Sequence, residues 1–184
     1  GDGDTMVLPD VPATIFEGEA EIAVVIGRHA NRVSEKDAMK YVFGTSTSST
    51  ARRAACRRPG NVFFQMKSRD TFAPIGPWIV TADEIADPQN LDITLSNNGQ
   101  VMQKFNTNDM AHQIPRSIEW ASSIHTLNPG DILATGTNHR GLNSFMDGDK
   151  IELEGILPCD LLLRKQPEQS LDKRWTATNT IKSG

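Results

Sequence analysis

Three carboxylates recur at every second position in Glu17-Gly18-Glu19-Ala20-Glu21, just ahead of the β-branched run Ile22–Ile26. On a strand, side chains at i, i+2 and i+4 leave from one face, so these acids stand side by side. Like charges in a row need solvent, nearby cations or a bound metal to compensate them. A hard divalent cation takes carboxylate oxygens, and Mg²⁺ commonly uses one or two of them plus water and substrate. Taken alone, a solvated strand face is the better account of the pattern. Lys67 stands at the end of an apolar run, with Asp70 in the turn that follows. A surface lysine beside an Asp-Thr turn is the plain reading. Gly136-Thr137 ends another run, where exposed N–H groups and a hydroxyl could hold a carboxylate, or where a glycine simply lets a loop turn. The histidines, His29, His112, His125 and His139, have no ligand spacing. Of these, His139 shares the loop of Thr137. No nucleophile elbow, phosphate loop or dinucleotide fingerprint is present.

The elements that must position these residues can be read from periodicity. Glu19 to Gly27 is a strand closed by glycine. Ser34 to Phe43 is a short helix, with Ser34 as N-cap and Ala38, Met39, Val42 and Phe43 at helical spacing. Asn61 to Lys67 reads as a strand, and Ala73 to Val80, with Pro74 and Pro77, as a turn entering an edge strand. Two alternating runs flank Asn97-Asn98-Gly99, which predicts a hairpin. Ile114, Ile118, Ala121 and Ile124 form one helical stripe, with Pro115 tolerated in its first turn. Turns at Asn128–Asp131 and Met146–Asp149 lead into further strands. The expected class is α+β, predominantly β, with two or three short helices and no βαβ alternation.

At 184 residues, 38% hydrophobic and 23% charged, the chain suits one globular domain. A net charge of −4 argues against a broad nucleic-acid surface, although Arg52, Arg53, Arg57 and Arg58 cluster. No apolar stretch is long enough to span a membrane. The expectation is a soluble, unexported, cytoplasmic protein. Cys56 and Cys159 are too isolated for a disulfide framework or zinc site. The chain opens on Gly1, and a missing upstream portion is expected.

The order of the segments is more specific than any one of them. EGEAEIAVVIG, KSRDTFAPIGPWIVTADEI, NNGQVMQ, TNDM, LNPGDILATGTNHRG and DGDKIELE follow one another along the chain. Over residues 8–155 this succession resembles the fumarylacetoacetate hydrolase family. The resemblance implies a mixed β-roll catalytic domain spanning 1–155, which usually dimerises, and leaves 156–184 as an unassigned tail. It implies a Mg²⁺ or Mn²⁺ site and chemistry on small 2-oxo or β-diketo acids. Members hydrolyse C–C bonds, decarboxylate, or isomerise and hydrate ring-cleavage products. Carried over by position, Glu19 and Glu21 match the two metal-binding glutamates and Lys67 the lysine that assists at the substrate oxygen. Thr137, after Gly136, matches the threonine that meets the substrate carboxylate. Glu17 acquires no role. A lid with a His–Glu pair is expected upstream of this sequence.

One segment departs from the pattern. The resemblance places a third metal-binding carboxylate within residues 45–59, which here read TSTSSTARRAACRRP. A one-base slip in the reading frame converts permitted codons for this text into YVNFIDGSARGLPPA, a family-like strand with its aspartate at position 50. The metal position is therefore Thr50, and the motif's arginine position is Ala54. Ser, Thr and Arg in place of apolar residues should loosen residues 45–60 outward, and metal binding should be weak or lost. Three functions follow: a metal-dependent hydrolase or lyase of small oxo acids, a non-catalytic binding protein on the same fold, or a damaged gene product.

Overall fold

The structure, a computed structural model, describes residues 2–9, 15–54, 63–85, 87–156 and 159–165. Two sheets dominate it. The first runs β1 (Asp4–Leu8), β10 (Cys159–Lys165), β9 (Lys150–Glu154), β5 (Asp92–Asn97), β6 (Gln100–Asn106). The second runs β4 (Ile75–Thr81), β3 (Val42–Ala54), β2 (Ile15–Ile26), β7 (Ile132–Ala134), and β8 (Asn143–Phe145) also pairs with β2. Pairing is antiparallel throughout except between β1 and β10. The predominantly β, α+β expectation holds. Past Glu154 the chain supplies β10, which joins β9 to β1. No described helix is long and apolar enough to cross a membrane.

Alternation along β2 builds the core. Ala20, Ile22, Val24 and Ile26 are buried on one face, in a cluster with Ile93 and Leu95 of β5, Ile151 and Leu153 of β9, and Phe72. The opposite face carries Glu17, Glu19 and Glu21. A register slip of one residue would send the acids into this apolar layer, so the core pins them where they are.

The loosening expected for 45–60 does not occur in its described part. β3 runs unbroken to Ala54 and pairs with β2 from Ile15↔Ala54 to Val25↔Gly44. Thr45 through Ser49 are buried. Two physical reasons explain this. The ladder is made by backbone groups, which Ser and Thr supply as well as Val, and Thr is β-branched. Three of the hydroxyls also find acceptors on the neighbouring segment, while the buried Thr45 Oγ1 finds none. Ser46 Oγ donates to Trp78 O at 2.8 Å, Thr47 Oγ1 to Gly76 O at 2.5 Å and Ser48 Oγ to Pro74 O at 3.3 Å. A buried polar group costs little once it is hydrogen-bonded. Gly44 lets β4 come close: a Cβ there would lie 2.3 Å from Val80 O. Cys56, Arg57 and Arg58 lie outside the described residues.

Two other expectations need correction. Residues up to Lys67 form a single helical turn, α1 (Phe63–Lys67), rather than a strand. Met66 alone faces inward while Phe63 and Phe64 are exposed. The helix expected from Ser34 is a 3₁₀ helix, Glu35–Tyr41, which passes straight into β3. Ser34 Oγ donates to Asp37 Oδ2 at 2.9 Å instead of capping the backbone. The second α-helix, α2 (Ile114–Ile124), buries Ile114, Ile118 and Ala121 as the stripe predicts, but terminal Ile124 is exposed. Its first N–H is taken by Gln89 Oε1 at 2.8 Å.

The hairpin turns at Asn98 and Gly99, with φ of 50° and 79°, the positive values its residue types favour. Asp149, in the turn before β9, ties it down. Asp149 accepts from Asn98 Nδ2 at 2.8 Å, Asn97 Nδ2 at 3.2 Å and Met146 N at 2.8 Å. Partial burial pushes its carboxyl upward, but these donors outweigh that and hold it below the ordinary carboxylate value. A lowered folded-state value means stability that is present above the unfolded pKa and is lost as pH falls through the folded one. Asp149→Ala should therefore cost about 1 kcal/mol at neutral pH. In thermal melts recorded at a series of pH values, the gap between variant and parent should close on the acid side of the ordinary carboxylate range.

Candidate active site

The register of β2 on β3 assembles the acid face. Glu17 lies opposite Arg52, Glu19 opposite Thr50 and Glu21 opposite Ser48, so the side chains of each pair share one face. Glu19 is 2% exposed and Glu21 3%. Neighbouring carboxylates two strand residues apart, roughly 7 Å, repel by about 2 kcal/mol at an effective dielectric constant of about 20. Burial adds a desolvation cost, so these acids need partners.

Glu19 and Glu21 have them at every oxygen. Lys67 Nζ lies 2.6 Å from Glu19 Oε2, and Arg52 Nε lies 3.4 Å from Glu19 Oε1 and 2.6 Å from Glu17 Oε2. Thr50 Oγ1 is 2.5 Å from Glu21 Oε1 and 3.4 Å from Glu19 Oε2. Gly136 N–H donates to Glu21 Oε2 at 2.8 Å. The loop after β7 is held for this contact by Thr135, whose N–H donates to Ile22 O at 3.0 Å. Gly136 has φ of 81°, a conformation glycine adopts without penalty.

Thus the structure brings together Glu19, Glu21, Lys67 and Gly136, with Thr137 next in the chain. Asp70 and His139 are exposed and stay out of the cluster. Gly136 and Thr137 line a cleft of about 850 Å³ that also receives Arg116 and Arg140, Trp120 and His112. The carboxylates do not line it; the Gly136–Glu21 hydrogen bond joins them to its wall.

Sequence reasoning missed two members. Arg52 is read in sequence only as part of a basic cluster. Gln103, on β6, is 1% exposed and links the centre of β2 to the Thr137 loop. Its Oε1 accepts from Ala20 N at 3.0 Å, and its Nε2 donates to Thr137 Oγ1 at 3.1 Å and Asn138 O at 2.5 Å. A signal for Gln103 existed: it is polar at a position paired with buried Leu95, where alternation calls for an apolar residue.

The Mg²⁺ or Mn²⁺ site that the resemblance implies was tested against these donors. Among the described residues no three His, Cys, Asp or Glu side chains converge on a metal-holding point. The third position is the Thr50 hydroxyl, and all four oxygens of Glu19 and Glu21 already face donors of the chain. The residues present do not fit a divalent cation held by three carboxylates.

Comparison with known proteins places this arrangement in context. The model of the fumarylacetoacetate (FAA) hydrolase C-terminal region matches residues 1–164. The 4-hydroxyphenylacetate degradation bifunctional isomerase/decarboxylase of Salmonella dublin is 42% identical over 137 residues, 74% of this chain and 32% of that protein. The mitochondrial oxaloacetate tautomerase fahd2 of Xenopus laevis is 40% identical over 139 residues, 74% of this chain and 43% of that one. The chain thus spans less than half the length of these two relatives. The crystal structure of maleylpyruvate hydrolase from Sphingobium sp. SYK-6, in complex with manganese (II) ion and pyruvate, superposes with a TM-score of 0.83 at 37% identity. That likeness covers 91% of this chain and 61% of the other.

Gln103→Ala should lower stability by roughly 1–3 kcal/mol, since it orphans the buried Ala20 N–H. Urea denaturation measures this, and loss of order at Thr137 in amide exchange should accompany it.

Proposed function

Because the chain belongs to the fumarylacetoacetate hydrolase family, we propose that it acts on small 2-oxo or β-diketo acids. The reaction is hydrolysis, decarboxylation or isomerisation beside the oxo group, in catabolism of aromatic compounds or amino acids. The observation that carries this reading is Lys67 held on buried Glu19, with Glu21 fixing the Gly136-Thr137 wall of an open cleft.

In this reading the cleft takes the acid. The Thr137 hydroxyl accepts from Gln103, which leaves its own proton to donate to a substrate carboxylate. Arg140, and Arg116 paired with Glu119, also line this cleft and add positive charge to it. Lys67 does not line that cleft but is about one-third exposed beside it, in the chain of contacts through Glu19 and Glu21. The 2-oxo end of the acid must therefore extend from the cleft to the remaining N–H groups of Lys67. Negative charge gathers on that oxygen as an enolate forms, and a pre-positioned ammonium stabilises it more than it stabilises the ground state. Glu19 holds the ammonium in place. No step is routed through a metal, because the acid pair is engaged by the chain's own donors. Assembly as a homodimer belongs to the same proposal.

A specific observation favours a second reading. With Thr50 neutral and each oxygen of Glu19 and Glu21 engaged, this chain keeps the fold but is catalytically impaired. Steady-state assays with an acylpyruvate and with oxaloacetate separate the two. The first reading expects turnover that Lys67→Ala lowers about 100-fold or more in kcat. Turnover indifferent to Lys67→Ala refutes it. Oxo-acid binding without turnover supports the second.

A further inference from the structure

β3 lacks a carboxylate at position 50, but two residues on, on the same face, it presents a cation. Arg52 spans two acids, with Nε 2.6 Å from Glu17 Oε2 and 3.4 Å from Glu19 Oε1. Lys67 closes the other oxygen of Glu19 at 2.6 Å from a separate element, α1. Glu19 is therefore gripped from both sides while only 2% exposed. Arg52 itself is largely covered, with 22% of its side chain exposed, and Glu17 is covered to a similar degree at 19%. These are pairs shielded from water rather than loose surface ion pairs, so their attraction is less screened.

We propose that Arg52 is a built-in counter-ion that, together with Lys67, supplies the positive charge a divalent ion would otherwise bring to the acid face of β2. The inference rests on the assignment of Glu19 and Glu21 as the metal-facing pair. Three features fit Arg52 to this task. Its guanidinium sheds hydration more readily than an ammonium, which suits a nearly dry carboxylate. It is tethered on the strand paired with Glu17, so no ion needs to be captured from solution. Its Nε–H donates to Glu17 Oε2, and its charge lies 3.4 Å from Glu19 Oε1, an oxygen that an incoming cation would need, so binding a divalent ion at Glu19 requires displacing it. Glu17, which the sequence leaves without a role, becomes the anchor that holds Arg52 over the site. The acid face then assembles without metal, and Arg52 keeps divalent ions out.

The test uses the chain without substrate, so its outcome is independent of whether oxo acids are turned over. Mn²⁺ titration calorimetry and thermal unfolding with Mn²⁺ or EDTA are compared for the parent, Arg52→Ser, Arg52→Lys and the double variant Thr50→Asp/Arg52→Ser. The parent and Arg52→Lys are expected to melt at the same temperature with Mn²⁺ or EDTA. Arg52→Ser should melt lower and recover in part with Mn²⁺. The double variant should bind Mn²⁺ at least about 10- to 100-fold more tightly than the parent. Should Arg52→Ser fail to fold, the double variant purified with Mn²⁺ carries the comparison. Parent affinity equal to that of the double variant overturns the proposal. So does an Arg52→Ser protein with the parent's melting temperature and the parent's indifference to Mn²⁺.

Discussion

Two carboxylates withdrawn from water on one strand face are the constraint around which this molecule is arranged. Glu19 and Glu21 cannot rotate away, because the residues between and beyond them, Ala20 and Ile22, are locked into the core. They cannot be left bare either, since an unpaired buried charge costs several kcal/mol. Three neighbouring elements contribute compensating groups: a hydroxyl and a guanidinium from β3, an ammonium from α1, an amide from the loop after β7. The positions of α1 and of the Gly136 loop are thus consequences of charge on β2 as much as of packing.

The legible parts of the fold were those whose signal is local. The β2 run, the Asn98-Gly99 hairpin and the α2 stripe each follow from a period or a turn residue confined to a dozen positions. The illegible parts were decided by distant partners. Nothing in Thr45–Thr50 announces that the carbonyls of Pro74, Gly76 and Trp78 wait beside it. Those acceptors turn a polar stretch into a tolerable inner strand. Phe63–Lys67 is too short for periodicity to tell one helical turn from a strand. Its state is set by where Met66 and Lys67 must land.

The site divides along the same line. Glu19, Glu21, Lys67, Gly136 and Thr137 can be singled out as candidates because each stands in a segment whose order along the chain is distinctive. Arg52 was not, because in sequence it is one arginine of four, and only the Glu17↔Arg52 register reveals what it faces. Gln103 holds a middle position: its misfit in an alternating strand is visible, whereas the two ends it joins, Ala20 and Thr137, are not.

These facts separate what the fold requires of β3 from what chemistry requires of it. The ladder with β2 asks only for backbone N–H and C=O groups, and eleven consecutive residues from Gly44 to Ala54 meet that demand whatever their side chains. Catalysis in the family reading asks for one particular charge at one particular atom, the side chain of residue 50. A strand can therefore keep its place and burial while the chemical meaning of its face is rewritten. In that reading the rewriting here is not silent. Removing a negative charge at 50 and adding a positive one at 52 moves the local charge in the same direction as adding a divalent cation would. Either change relieves the repulsion among the acids of β2 for the same electrostatic reason. Membership of a fold family thus fixes the scaffold of this site, and the balance of charge across β2 and β3 decides which cation completes it.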